Sequence, residues 1–153
     1  MRTIQMSSYT VGEDCFEAIP AALSPYRAKT VVLVGGRRAL AAAAPGIRAA
    51  LDDTDVQIID EIVYGTDSTQ SAIDALVANP AFRAADVAFA IGGGKAIDTV
   101  KTAAKELDKT VFSVPTICSN CSSATAIAVV YNDDHPSRAM PTPTRPRTSS
   151  SIP

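Results

Sequence analysis

Short runs of β-branched and other apolar residues alternate along the chain with Ala-rich stretches whose apolar positions recur every three or four residues. TVVLVGG at 30–36 reads as a buried strand ending in glycines, and the helical run RRALAAAAPGIRAALDD follows it. Pro45 and Gly46 are predicted to break or restart that helix. VQIIDEIVYG at 56–65 is the next strand. DSTQSAIDALVANP at 67–80 predicts a helix capped by Asp67 or Ser68, with Ile73, Leu76 and Val77 on one face and Pro80 beyond its end. DVAFAIGGG at 86–94 is a third strand, and KAIDTVKTAAKEL at 95–107 carries Ile97, Val100, Ala104 and Leu107 on one helical stripe. TVFSVP at 110–115 is a fourth strand and TAIAVVY at 125–131 a candidate fifth. Strands and helices alternating at this spacing predict βαβ units: an α/β fold with a doubly wound, mostly parallel sheet flanked by helices.

The pattern stops near Asp134. From Pro136 the chain reads PSRAMPTPTRPRTSSSIP, five Pro and seven Ser/Thr in 18 residues. Such a segment buries too little surface to offset its ordering entropy, so residues 135–153 are expected to be a disordered, extended Pro/Ser/Thr-rich tail behind an α/β domain at 1–134. Charge divides at the same place. Residues 1–134 hold 11 Lys+Arg against 16 Asp+Glu, or −5, and the rest holds three Arg and no acid, or +3. A net charge of −2 argues against nucleic acid or an anionic membrane as main partner. No apolar run approaches the roughly 20 residues of a membrane span, and MRTIQMSSYT has no apolar signal region. Three Cys in no scaffold spacing fit a reduced compartment. The expected location is cytoplasmic.

Two strand ends carry the candidate chemistry. Ile91-Gly92-Gly93-Gly94-Lys95-Ala96-Ile97-Asp98-Thr99 runs from a buried strand through three glycines directly into a helix. Without Cβ atoms, such a turn lets a phosphate approach free N–H groups at the positive end of the helix, and Lys95 and Thr99 add a cation and a hydroxyl. A tight βα turn with no ligand is the other reading. Val114-Pro115-Thr116-Ile117-Cys118-Ser119-Asn120-Cys121 ends a second strand in small polar side chains that suit ribose and pyrophosphate, or simply solvent. Arg37 and Arg38 follow a third strand, where Arg accommodates a ribose 2′-phosphate or opens a solvated helix. Cys118-x-x-Cys121 admits a small dithiol oxidoreductase, or two small structural thiols with no basic neighbour in sequence to depress a pKa. Zinc needs about four ligands, and beyond this pair the chain offers only Cys15 and His135.

SYTVGEDCFEAIP, GGGKAIDTVK and VPTICSNCSSATAIAVVYNDD, in that order and spacing, resemble the iron-containing alcohol dehydrogenase superfamily, in its glycerol dehydrogenase-like branch, from about Ser8 to Asp134. The resemblance implies a Rossmann-like NAD(P)-binding domain over 1–134. It also implies a second, helical domain that supplies the ligands of a divalent zinc or iron, and a small alcohol or polyol as substrate. Carried over by position, Gly93, Gly94, Lys95 and Asp98 fall on the pyrophosphate turn, beside Gly92 as a further cofactor-binding candidate of the same glycine run, and Thr116 and Ser119 on a nucleotide-contacting loop. Thr125, Ile127 and Tyr131 fall on the nicotinamide side. Cys121 stands where the branch has a polyol-contacting Asp, and Arg37 where it has an acid for the adenosine ribose. The cofactor is thus expected to be NAD or NADP. The helical metal-binding domain is expected to be absent, leaving a truncated chain that is weakly active or inactive alone. Alternatives are a non-catalytic nucleotide-binding or interaction module that self-associates through its exposed interdomain face, and the dithiol oxidoreductase at Cys118 and Cys121.

Overall fold

A computed structural model describes residues 9–117, 122–125, 127–132 and 135–143. Two short 3-10 turns, Cys15–Ala18 and Ser24–Tyr26, flank helix α1 (Ile19–Leu23), an entry that the strand-and-helix pattern does not announce. Then follow β1 (Thr30–Gly35), α2 (Arg37–Leu51), β2 (Gln57–Val63), α3 (Gln70–Ala78), α4 (Pro80–Ala84), β3 (Val87–Gly92), α5 (Gly94–Glu106) and β4 (Thr110–Pro115). The four strands form one parallel sheet, as the alternating pattern predicts, and its order is β2-β1-β3-β4.

β1 and β3 are central and covered on both faces, which is why their sequences are almost uninterrupted apolar runs. Val31, Leu33, Val87, Phe89 and Ile91 face Leu40, Ala43, Ile47 and Leu51 of α2 and Leu23 of α1. Val32, Val34, Ala88 and Ala90 face the other layer, with Ile73 and Leu76 of α3, Phe82 of α4 and Ile97, Val100 and Ala104 of α5. The alanines of β3 on that face leave room for α5. Gly35 makes the central pairing tight: a Cβ there would lie 2.3 Å from the Ile91 carbonyl oxygen.

Several local expectations are corrected. α2 runs unbroken through Pro45 and Gly46. The buried face of Leu40, Ala43, Ala44, Ile47 and Leu51 outweighs the hydrogen bond that Pro45 cannot make, and Gly46 packs directly against the Phe16 ring. The cap of α3 is Thr69, whose hydroxyl accepts from the Ala72 N–H at 3.3 Å, rather than Asp67 or Ser68. Pro80 does lie beyond the end of α3, as expected, and it opens a further helix, α4, which Asn79 caps through the Phe82 N–H at 3.0 Å. The candidate fifth strand does not extend the parallel sheet. β5 (Ile127–Asn132) pairs antiparallel with β6 (His135–Pro143) in a separate two-stranded ribbon. The first part of the Pro-rich segment is thus extended and paired, on an edge strand where proline is tolerated; residues 144–153 lie outside the described residues.

One polar staple joins the starts of β1 and β3. Asp86 Oδ2 accepts from the Lys29 N–H at 2.8 Å, the Thr30 N–H at 2.9 Å and the Thr30 hydroxyl at 3.0 Å. These bonds, the Lys29 N–H first, hold its carboxyl below the usual range. Asp86→Ala is expected to lower unfolding free energy by about 1–2 kcal/mol at neutral pH, discounted because the bonds are exposed. A depressed folded-state pKa stabilises above the unfolded value and is lost as pH falls through the folded one. Denaturant titrations at pH 7 and at low pH should therefore show the deficit closing as acid is added.

Candidate functional site

In the order β2-β1-β3-β4, the chain leaves β1 to one side and returns to β3 on the other, so the sheet's switch point lies between the C-terminal ends of β1 and β3. A cleft of about 490 Å³ opens there. Gly36, Arg37, Arg38 and Ala39 line it from β1 and α2, and Tyr64 from the exit of β2. Gly92, Gly93 and Ala96 line it from β3 and α5, and Thr116 and Ile117 from beyond β4.

The glycine turn has the geometry its sequence foretells. Gly92 has φ +143°, a conformation L side chains rarely adopt, and a Cβ on it would meet Ala96 Cβ at 3.1 Å. Gly93 is the extended N-cap of α5, without a side-chain cap. The N–H groups of Gly94, Lys95 and Ala96 precede the first intrahelical bond, which Ile97 makes to Gly93 at 3.1 Å. The Thr116 N–H donates to the Gly92 carbonyl at 3.1 Å and ties the β4 loop onto this turn. Of the residues expected at the site, Arg37, Gly92, Gly93 and Thr116 meet in the cleft.

Others serve around it. Lys95 Nζ donates to Asp67 Oδ2 at 3.0 Å and lies 5.8 Å from the centre of the Tyr131 ring. That bond pulls the Asp67 carboxyl below its ordinary range and lifts Lys95. The Tyr64 hydroxyl is raised, first by burial and then by Asp67. Asp98 does not line the cleft. It is buried, and its Oδ2 accepts from the Val129 N–H of β5 at 3.1 Å. Its Oδ1 is buried without a hydrogen bond of normal geometry, 4.0 Å from Lys101 Nζ. Burial pushes the Asp98 carboxyl up, opposed by the Val129 N–H, Lys101 and Ser122. Lys101 Nζ donates to the carbonyls of Ser122 and Thr125, the latter at 2.7 Å. Asp98 and Lys101 therefore hold down the segment that carries Thr125 and the start of β5. Ser119 and Cys121, like Cys118, lie outside the described residues, and of Ile127 only the backbone is described, as the first residue of β5. Sequence reading missed Tyr64, Asp67 and Lys101. The one available signal was Asp98 and Lys101 at i, i+3 beside the apolar stripe of α5.

Residues 7–149 match the family described as iron-containing alcohol dehydrogenase. The chain belongs to the iron-containing alcohol dehydrogenase family. It is 27% identical over 126 residues to the glycerol dehydrogenase of Escherichia coli O6:H1, covering 82% of this chain and 34% of that protein. The glycerol dehydrogenase structure from Schizosaccharomyces pombe superposes with a TM-score of 0.70 at 19% identity, over 86% of this chain and 35% of that one. An iron-containing alcohol dehydrogenase from Thermotoga maritima gives 0.75 at 15% identity, over 92% and 45%. These structural likenesses carry the α/β fold. The chain spans between a third and a half of the length of these three relatives. Among the described residues no three His, Cys, Asp or Glu side chains come together to hold a metal ion, and no helix is long and apolar enough to cross a membrane.

Proposed function

We propose that residues 1–134 are the dinucleotide-binding unit of an NAD(P)-dependent, metal-dependent dehydrogenase acting on a small alcohol or polyol. The observation that carries this reading is the Gly92–Gly93 turn at the switch point, where φ +143° and missing Cβ atoms bring α5's first N–H groups to the cleft. A pyrophosphate accepts from those N–H groups, and Thr116 lines the same cleft on a loop fixed by the Gly92 carbonyl. The nicotinamide runs toward Thr125, Ile127 and Tyr131, on the segment that Asp98 and Lys101 anchor. Cys121, which lies outside the described residues, is assigned to the substrate by its position in the sequence alone. In the family the divalent metal polarises the alcohol oxygen. In this reading the described residues bind and orient the nucleotide.

Calorimetric titration of the full chain with NADH and NADPH tests the proposal. Saturable one-to-one binding of at least one is expected. Gly92→Ala, which strains the turn, is expected to weaken it by a factor of about 10 or more. A folded chain that binds neither nucleotide overturns the reading.

A further inference from the structure

The cleft carries a charge pattern that a pyrophosphate turn alone does not require. Residues 1–134 sum to −5, yet the cleft is lined by two cations, Arg37 and Arg38, and by no carboxylate. Other basic groups near strand ends are partnered: Lys29 with Asp55, Arg48 with Glu61 and Lys95 with Asp67. Among the described residues no hydrogen bond or ion pair engages the Arg37 or Arg38 guanidinium. Asp67, the acid that follows β2, is taken up by Lys95 at 3.0 Å and is not offered to a ribose.

Position adds to charge. With a pyrophosphate at the end of β3, the adenosine half of a dinucleotide lies over the neighbouring strand, β1, about 4.8 Å away. β1 ends at Gly35, and the next residues are Gly36, Arg37 and Arg38. A ribose with free hydroxyls is recognised there by an acceptor, and a 2′-phosphorylated ribose by guanidinium groups. Building on the dinucleotide reading above, we propose that Arg37 and Arg38 are specificity-determining residues that select a dinucleotide phosphorylated on its adenosine ribose. Two adjacent like charges, unpartnered in the free protein, then gain a dianionic partner.

The test is calorimetric titration of the full chain with NADPH and NADH, in the wild type and in the double variant Arg37→Ala/Arg38→Ala, each first shown to melt cooperatively. Wild type is expected to bind NADPH at least about tenfold more tightly than NADH. The double variant should bring NADPH to within about threefold of NADH, with the NADPH affinity falling at least about threefold more than the NADH affinity. The wild-type preference should also shrink as salt rises, because both arginines are exposed. Equal affinities in the wild type, or tighter NADH, overturn this inference and leave the dinucleotide reading standing. A preference that survives the double substitution also overturns it. A folded wild type that binds neither nucleotide overturns both.

Discussion

Gly35→Ala is expected to destabilise the domain by about 3 kcal/mol, at the top of the range for overpacking a core. The added Cβ would sit 2.3 Å from the Ile91 carbonyl oxygen and 3.2 Å from its carbonyl carbon, and both belong to the backbone of β3. No side chain can turn aside to make room. β1 is paired on both sides, with β2 and β3, so it cannot shift away without breaking a second ladder. Gly36→Ala is the matched control, because a Cβ there meets nothing within 4 Å and its φ of −75° suits any residue. Its effect should stay within about 0.5 kcal/mol. Chemical denaturation of the two variants beside the wild type decides the matter. Equal stabilities would mean that β1 and β3 are not packed as tightly as described.

Lys101→Met is the second large effect. Lys101 and Asp98 are 14% and 7% exposed, and the lysine is the nearby cation that offsets a carboxylate buried under β5. Removing one member of a buried pair leaves the other charge uncompensated, a loss of about 3 kcal/mol or more. The carbonyls of Ser122 and Thr125 lose their donor as well. Asp98 already has a raised pKa from burial, and losing Lys101 raises it further. The penalty for the raised carboxyl is present above its folded-state pKa and disappears as pH falls toward the unfolded value. The Lys101→Met deficit should therefore be largest at neutral pH and narrow in acid. Asp98→Asn in the same chain should restore part of the stability at neutral pH, with a coupling of about 1–3 kcal/mol across the double-mutant cycle. Additive losses would show that the two groups do not interact.

How much of this was legible beforehand follows from where each signal lives. β1 and β3 are covered on both faces, so burial is written as consecutive apolar letters, and their glycine ends appear as written. The glycine cradle was legible for the same reason, since a positive φ and close packing both demand a missing side chain at Gly92. Pro45 misled because its local cost is outweighed by a helix face packed on the sheet, and that face is assembled from distant residues. Lys101 was missed because a lysine beside an apolar stripe looks like solvated surface until the segment leading into β5 folds back over it. The β5–β6 ribbon was missed because composition describes what a segment can bury by itself and not which strand waits beside it.

That ribbon also sets the order in which the molecule opens. It shares no ladder with the parallel sheet. Its described attachments include the Thr69–Tyr131 bridge, the Ser68 hydroxyl on the Val129 carbonyl, the Tyr131 N–H on the Ser68 carbonyl, the Asp98 carboxylate on the Val129 N–H, Lys95 over the Tyr131 ring, and the packing of Val130 on the layer of α3 and α5. All reach it through α3, α5 and their flanking loops, so it can lift off while β1 and β3 keep every strand contact. In amide hydrogen exchange, β5 should lose protection well before the central strands. The segment proposed to meet the nicotinamide and the turn proposed to meet the pyrophosphate would then belong to two cooperative units of different stability, and a bound dinucleotide that touches both would slow exchange in the weaker one most.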